Sequence, residues 1–364
     1  MATPRGSRPF VPRLTVQQTF VYAIVAAMHI EEHASLREHN TFRVEARARF
    51  LVSLETPEDI PAFLADQRFH GLPRLILGGG SNILFRDDFP GVVLHVALKG
   101  VELLGEDAGH RYLAVAAGEG WHDTVRWTVE QGWPGLENLS LIPGTVGAAP
   151  VQNIGAYGIE LADFCKAVDV LDLESGESGV MTAEDCRFGY RDSRFKQQPG
   201  RWLITSVLLS LPKAFEPKLD YPGVREALAG AEPTPLVISD AICAVRRAKL
   251  PGLECDQPGS AGSFFKNPVI PSGQAAILQE QFPGMPSWIL GDGRVKLSAA
   301  WLIEQCGWKG HREGDAGVYD RHALVLVNHG RASGRALWAL AERIVASVEQ
   351  CLGVRLEPEP LILP

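Results

Sequence analysis

Nowhere does this chain offer the ~20 consecutive apolar residues that a membrane helix needs. The nearest approach, residues 20–28, is short and follows Arg5, Arg8 and Arg13, which superficially copies a secretory signal. No small-x-small cleavage site follows, so residues 1–28 read as a non-native or disordered extension, and no membrane insertion is expected. Cysteine is also sparse. The six are scattered, with no Cys-x-x-Cys pair and no Cys/His spacing suited to zinc. The expectation is reduced thiols in the cytoplasm and no metal. Positive charge is dispersed, 35 Lys and Arg against 43 Asp and Glu for a net charge of −8. Without a cationic block there is no footprint for nucleic acid, although a small anion in a local basic pocket remains compatible.

Two common nucleotide motifs are missing as well. Strand-like residues 72–77 run straight into Gly78-Gly79-Gly80-Ser81-Asn82-Ile83-Leu84-Phe85. The dinucleotide fingerprint would need glycine where Ile83 stands, and no Gly-Lys-Ser/Thr supplies a Walker loop. The stretch is either a glycine turn between two strands or a phosphate cradle of another kind. A serine hydrolase built on Ser263 lacks its frame, because no Gly-x-Ser-x-Gly elbow surrounds that residue.

What is present suffices for two to three domains of about 150 residues. Apolar content of 46% and charged content of 21% describe a soluble globular protein. Alternation predicts a strand over 46–54. Thr56-Pro57-Glu58-Asp59 predicts a helix start, with Thr56 as the capping hydroxyl and Ile60, Phe63 and Leu64 facing inward. Residues 92–98, 111–117 and 202–211 read as strands, 168–181 as a hairpin, and the residues between Trp121 and Gly132 as a helix. Ser239 reads as the cap of a helix whose end carries Arg246, Arg247 and Lys249, where cations suit the negative carbonyl end. Further helices are predicted over 275–281, 298–306 and 333–349, the last burying Leu337, Leu340, Ile344 and Val348. A strand is expected over 323–328 and an edge strand over the proline-bearing 354–360.

Three stretches resist regular structure. Residues 134–158 fit neither period. They either wrap a planar cofactor with a pyrophosphate or form a buried loop that must satisfy its own amides. Cys186-Arg187-Phe188-Gly189-Tyr190-Arg191-Asp192-Ser193 is either a solvated strand edge or the frame of a positioned cation, Arg191. In Gly259-Ser260-Ala261-Gly262-Ser263-Phe264-Phe265-Lys266-Asn267-Pro268 the glycines let backbone approach a ligand while Ser263, Lys266 and Asn267 aim polar atoms at it. The alternative is a turn before an ordinary strand with a buried Phe pair.

Taken in order, Asn40-Thr41-Phe42, Leu77-Gly78-Gly79-Gly80-Ser81-Asn82, Ile142-Pro143-Gly144-Thr145-Val146-Gly147, Gln152-Asn153-Ile154-Gly155-Ala156-Tyr157-Gly158, Arg187-Phe188-Gly189-Tyr190-Arg191 and the 261–268 stretch resemble the UDP-N-acetylenolpyruvoylglucosamine reductases of bacterial cell-wall synthesis. The resemblance covers residues 38–362, and Lys218-Leu219-Asp220-Tyr221-Pro222 resembles the tyrosine loop of the family's longer subclass. It implies an α+β fold. An FAD-binding two-subdomain unit of the vanillyl-alcohol-oxidase type would occupy 38–252, split into 38–99 with 353–364 and 100–252. An α+β substrate-binding domain would occupy 253–352. FAD would be held by Gly78, Gly79, Gly80, Ser81, Asn82, Pro143, Gly144, Gly147, Ala148, Asn153, Gly155, Ala156, Tyr157 and Arg246. NADPH would be the hydride-donating co-substrate, and a UDP-sugar would meet Tyr221, Lys249, Asn267, Trp288 and His322 in a monomer. Trp288 stands where the family pattern carries tyrosine and His322 where it carries glutamine. Both keep a hydrogen-bond donor, while the alternatives are hydrophobic packing for Trp288 and a surface turn for His322.

The resemblance also implies the chemistry. A reduced flavin would pass a hydride to the terminal vinyl carbon of an enolpyruvyl ether, leaving negative charge on the carbon that bears the carboxylate. That charge requires stabilisation and a proton. Ser263 is the implied proton donor, Arg191 the guanidinium fork on the carboxylate, and Glu359, rather than Glu357, the acid that turns inward. An ionised carboxylate beside a developing enolate would raise the barrier, so Glu359 is expected to be protonated when the substrate is bound, its pKa raised by burial and anionic company. An FAD oxidase acting on another small molecule and a non-catalytic sugar-nucleotide binder are the alternatives.

Overall fold

The computed structural model describes residues 28–221, 223–251 and 257–364. Residues 1–27, Pro222 of the tyrosine loop and Cys255 lie outside that description.

The first sheet runs His29–Ser35, Arg47–Leu54, Phe89–Val96, Arg74–Leu77, with only the first pair antiparallel. Its central strand changes sides. Ala48 packs in one hydrophobic cluster with Leu75 and Phe85, whereas Phe50, Val52 and Leu54 join Val92, Leu94 and Trp121 in another. The pairing is irregular at the same point, where Ala48 to Phe50 spans two steps against three in the neighbouring strand, Phe89 to Val92. The second sheet is antiparallel, in the order Ser178–Thr182, Cys165–Asp172, Trp202–Pro212, His110–Ala116, Val101–Glu106. Beyond residue 257, two three-stranded sheets pack with the helices Ser272–Gln281, Ala299–Gln305 and Gly334–Leu352 around Phe264, Phe265, Leu302, Leu337, Leu340, Ile344 and Val348. The content is mixed α+β.

Several local expectations need correction. His29–Ser35 is a strand although its sequence is polar, because it lies at a sheet edge where only Ala34 is buried. The helix expected from Thr56 is Asp59–Ala65, and its start is organised by the Asp59 carboxylate, which accepts from the Glu55 and Thr56 N–H groups and the Thr56 hydroxyl. Ser239 is not a cap. Thr234 accepts from the Val237 N–H at the head of Pro235–Lys249, with proline in the first turn, and Ser239 lies a full turn inside, buried against Arg126 and Ser140. Residues 354–360 form no named strand, because Pro358 and Pro360 lack the N–H that a ladder needs. The strand begins just past them, Leu361–Leu363, parallel to Ile83–Phe85.

Candidate active site

A cavity of about 740 Å³ lies where these parts meet. One wall is the glycine turn after Arg74–Leu77, backed by the loop that follows Ile142. The two loops approach backbone to backbone. A Cβ on Gly78 would stand 2.3 Å from the Thr145 Oγ1, and one on Gly80, whose φ is +60°, would stand 2.0 Å from the His39 carbonyl oxygen. Only glycine fits there. Ser81 Oγ donates to the Pro143 carbonyl at 3.0 Å and ties the loops together. The Thr145 hydroxyl is buried with no hydrogen-bond partner and lines the cavity. An orphaned hydroxyl in a glycine-lined cleft fits a polar, phosphate-bearing cofactor.

Gly78 to Asn82, Pro143, Gly147, Ala148, Gly155 and Arg246 all line this space. Gly144, Asn153, Ala156 and Tyr157 do not line it. Gly144 lies behind Gly79, whose Cβ would stand 3.0 Å from its Cα. The Asn153 side chain is spent on structure, donating to Glu160 and to the Gly189 carbonyl and accepting from the Ala162 N–H. Ala156 pairs with Ile159 in a short hairpin. Tyr157 meets the Tyr221 ring edge-on at 5.2 Å, and it hydrogen-bonds the Arg246 side chain. Arg246 also donates from Nε to the Leu141 carbonyl at 3.2 Å. The base of the tyrosine loop is fixed by Asn138, whose Nδ2 donates to the carbonyls of both Tyr157 and Lys218 at 2.9 Å.

The opposite wall is the 259–268 loop, held by two neighbours. Gly259 exchanges backbone hydrogen bonds with Asn328, and Phe264 N–H donates to the Leu324 carbonyl. On its other side the loop pairs with the C-terminal segment. Glu359 N–H donates to the Phe264 carbonyl at 2.9 Å and Lys266 N–H to the Glu357 carbonyl at 2.9 Å. Phe264 and Phe265 are buried and anchor the loop. Ser263 and Glu359 therefore line one cavity although 96 residues separate them. The Glu359 side chain is 13% exposed, whereas that of Glu357 is 73% exposed and pairs with Lys266 at 3.4 Å.

Arg191 enters from the second sheet's side. Its backbone is left-handed, with φ +53°. Its guanidinium donates to the Gly155 carbonyl at 2.6 Å, and Nε stands 3.4 Å from Glu359 Oε1. Burial pushes the Glu359 carboxyl above the usual carboxylate range, against the opposing pull of Arg191, Lys196 and Lys266.

The remaining predicted residues do not line the cavity. Asn267 Oδ1 accepts from the Ala299 N–H at 3.0 Å, at the start of a helix. Lys249 is exposed at its helix end, where its charge, after burial, lowers the pKa of half-buried His322. Trp288 is 47% exposed, with the Lys296 ammonium 5.6 Å from its ring centroid and 5.4 Å from that of Tyr190. Sequence reasoning missed Thr145, Gln152 and Lys196. Gln152, which accepts from Asn82 Nδ2, carried no local signal. Lys196 had one, the Ser193 cap that turns its short helix back toward Arg191.

Residues 254–363 match the family model described as UDP-N-acetylenolpyruvoylglucosamine reductase, C-terminal domain, and residues 48–179 match an FAD binding domain. The UDP-N-acetylenolpyruvoylglucosamine reductase of Chromobacterium violaceum is 50% identical over 90% of this chain and 97% of its own length. That of Bordetella pertussis is 51% identical over 90% of this chain and 94% of its own. The solved reductase from Thermus caldophilus superposes with a TM-score of 0.66 at 28% identity, covering 93% of this chain and all of that one. With half its residues shared across nearly the full length of such relatives, and with the glycine loops, Arg191, Ser263 and Glu359 gathered at one cavity, the chain belongs to the UDP-N-acetylenolpyruvoylglucosamine reductase family.

Proposed function

We propose that this cavity reduces the enolpyruvyl group of UDP-N-acetylglucosamine enolpyruvate to UDP-N-acetylmuramate, with NADPH as the electron source, in a cytoplasmic monomer. FAD bound here would supply the two-electron redox chemistry that no side chain of this chain can. The glycine turn, Ser81, Thr145 and Arg246 hold the cofactor. Arg191 binds the substrate carboxylate, since a planar guanidinium matches its two oxygens. Ser263 holds the proton destined for the carbon bearing that carboxylate, and its hydroxyl is acidic enough because the acceptor is a far stronger base than water. Glu359 in its neutral form stands beside the developing charge without repelling it and offers a donor. Tyr221, Lys249, Asn267, Trp288 and His322 meet the sugar nucleotide at the mouth.

The observation that carries this reading is the convergence of Ser263, Arg191 and Glu359 on the space lined by the glycine loops. The same proposal divides the chain into 38–99 with 353–364, 100–252, and 253–352. The pairing of Leu361–Leu363 with Ile83–Phe85 supports the division, as does a hydrophobic cluster drawn mostly from residues beyond 257, which Phe42, Val44 and Leu84 join from the first unit. Among the described residues no helix is long and apolar enough to cross a membrane. The test is anaerobic stopped-flow. NADPH should bleach the flavin, and UDP-N-acetylglucosamine enolpyruvate should restore its absorbance. Bleaching without restoration would point to an oxidase of another substrate, and no bleaching to an inert binder. Sedimentation would test the monomer.

A further inference from the structure

Arg191 holds an unusual conformation for a side chain that must be aimed. Its φ of +53° lies in the left-handed region, which a residue with a Cβ adopts reluctantly. Part of the restraint is local, because Gly189 and Asp192 exchange backbone hydrogen bonds of 2.9 and 3.2 Å across it. The other part comes from Lys196. Its Nζ donates to the Arg191 carbonyl oxygen at 3.1 Å. It sits on the short helix Arg194–Gln197, whose cap Ser193 accepts from the Lys196 N–H, so the chain turns back and places the ammonium under the residue five positions earlier.

The location is a poor one for a cation that only fills space. Lys196 is half-buried and lines the cavity, and burial together with the Lys266 charge lowers its pKa. Arg191 is a third positive group nearby, and Glu359 and Asp192 offset them. An apolar residue would pack there without that penalty. A lysine earns its place by donating to the one carbonyl that sets the Arg191 backbone.

We propose that Lys196 is a positioning residue for the reduction, fixing the left-handed backbone of Arg191 so that its guanidinium faces the cavity between Gly155 and Glu359. This rests on the reading of Arg191 as the carboxylate ligand. Removing the Lys196 donor lets the Arg191 backbone relax and its guanidinium drift from the reacting carboxylate. The holoenzyme variants Lys196→Met, Lys196→Arg, Arg191→Met and the double Lys196→Met/Arg191→Met form the test, read by flavin content, NADPH-driven bleaching and substrate-driven reoxidation.

The expected result is full flavin content and normal bleaching in Lys196→Met, with reoxidation at saturating substrate slowed on the order of tenfold to a hundredfold. Lys196→Arg, which can still donate, should recover most of the rate. The double variant should be no slower than Arg191→Met alone, because a residue acting through another adds nothing once that one is gone. Additive losses would overturn the proposal by showing that Lys196 acts independently. So would a normal reoxidation rate in Lys196→Met. If Arg191→Met itself reoxidised normally, the carboxylate-ligand reading would fail instead. Should Lys196→Met fail to retain flavin, Lys196→Gln is carried through the same cycle, with the same non-additivity expected and additivity overturning.

Discussion

Glu359 Oε1 stands 3.4 Å from Arg191 Nε, yet the carboxyl is held above its ordinary pKa because burial outweighs the neighbouring cations. A carboxyl that takes up its proton beside a guanidinium would leave that guanidinium's charge available for a second carboxylate, the substrate's. Glu359→Gln preserves the neutral shape and a donor, so it should retain most of the reduction rate. Glu359→Ala removes both and should slow substrate-driven reoxidation. Retained rate in the alanine variant would take Glu359 out of the mechanism.

The same shift has a consequence for stability. A carboxyl whose folded pKa lies above its unfolded value binds a proton more tightly when folded. Its favourable contribution is therefore complete at low pH and is lost as pH rises through the folded pKa. Glu359→Gln deletes this dependence. The variant's melting temperature relative to the native protein should climb as pH is raised from the ordinary carboxylate range towards neutrality. A difference that stays flat with pH would mean that the folded carboxyl titrates normally.

Ser263 and Glu359 share the cavity because the 259–268 loop and the C-terminal segment are paired through backbone hydrogen bonds. Changing the Ser263 side chain leaves those bonds intact. Ser263→Ala should keep flavin content and NADPH-driven bleaching while slowing reoxidation by the enolpyruvyl substrate roughly 10²–10⁴-fold, the usual weight of a positioned proton donor. If both half-reactions fell together, Ser263 would be supporting the site and not donating the proton.

The motifs were legible one at a time, and their assembly was not. The 78–82 turn and the 143–147 loop each had two readings in sequence, because a glycine turn alone does not reveal what its missing side chains make room for. The fold lays Gly78 against Thr145 and Gly79 against Gly144. The inward turn of Glu359 depends on Phe264 accepting from its N–H, a contact of long sequence separation that no local pattern encodes. Helical burial was easy to read, as at Gly334–Leu352, and Arg47–Leu54 is the expected strand although its burial alternates only at its start and is continuous from Phe50. His29–Ser35 was missed because an edge strand needs few apolar residues. Ser239 reads as a cap in sequence because a serine before a cationic helix end looks the same whether it starts the helix or is buried within it.

Asn267 has two possible tasks that a pair of substitutions separates. Its Oδ1 accepts from the Ala299 N–H, so Asn267→Ala should cost about 1 kcal/mol in urea unfolding through the lost bond at a helix start. Asn267→Asp keeps the acceptor and should retain that stability. If the amide also serves the sugar nucleotide, the aspartate variant should still raise the substrate KM, because it exchanges a donor for negative charge near an anionic ligand. An unchanged KM in Asn267→Asp would confine the residue to capping.

Gly80 gives the sharpest test of the cofactor wall. Its φ is +60°, and a Cβ there would lie 2.0 Å from the His39 carbonyl oxygen and 2.9 Å from the Asn40 Cα. Both obstacles are backbone, which cannot swing aside as a flexible side chain can. Gly80→Ala must move either the turn or residues 39–40, next to which Thr41 N–H donates to the Gly80 carbonyl at 3.1 Å and ties the turn to the body. The strained backbone alone should cost about 1–3 kcal/mol in unfolding. The shifted turn should also bind flavin weakly. Absorbance of the purified variant near the flavin maxima, before and after added FAD, reads this directly. A fully yellow, undestabilised Gly80→Ala would show that the turn tolerates a side chain and that the close approach to His39 is not what shapes the cleft.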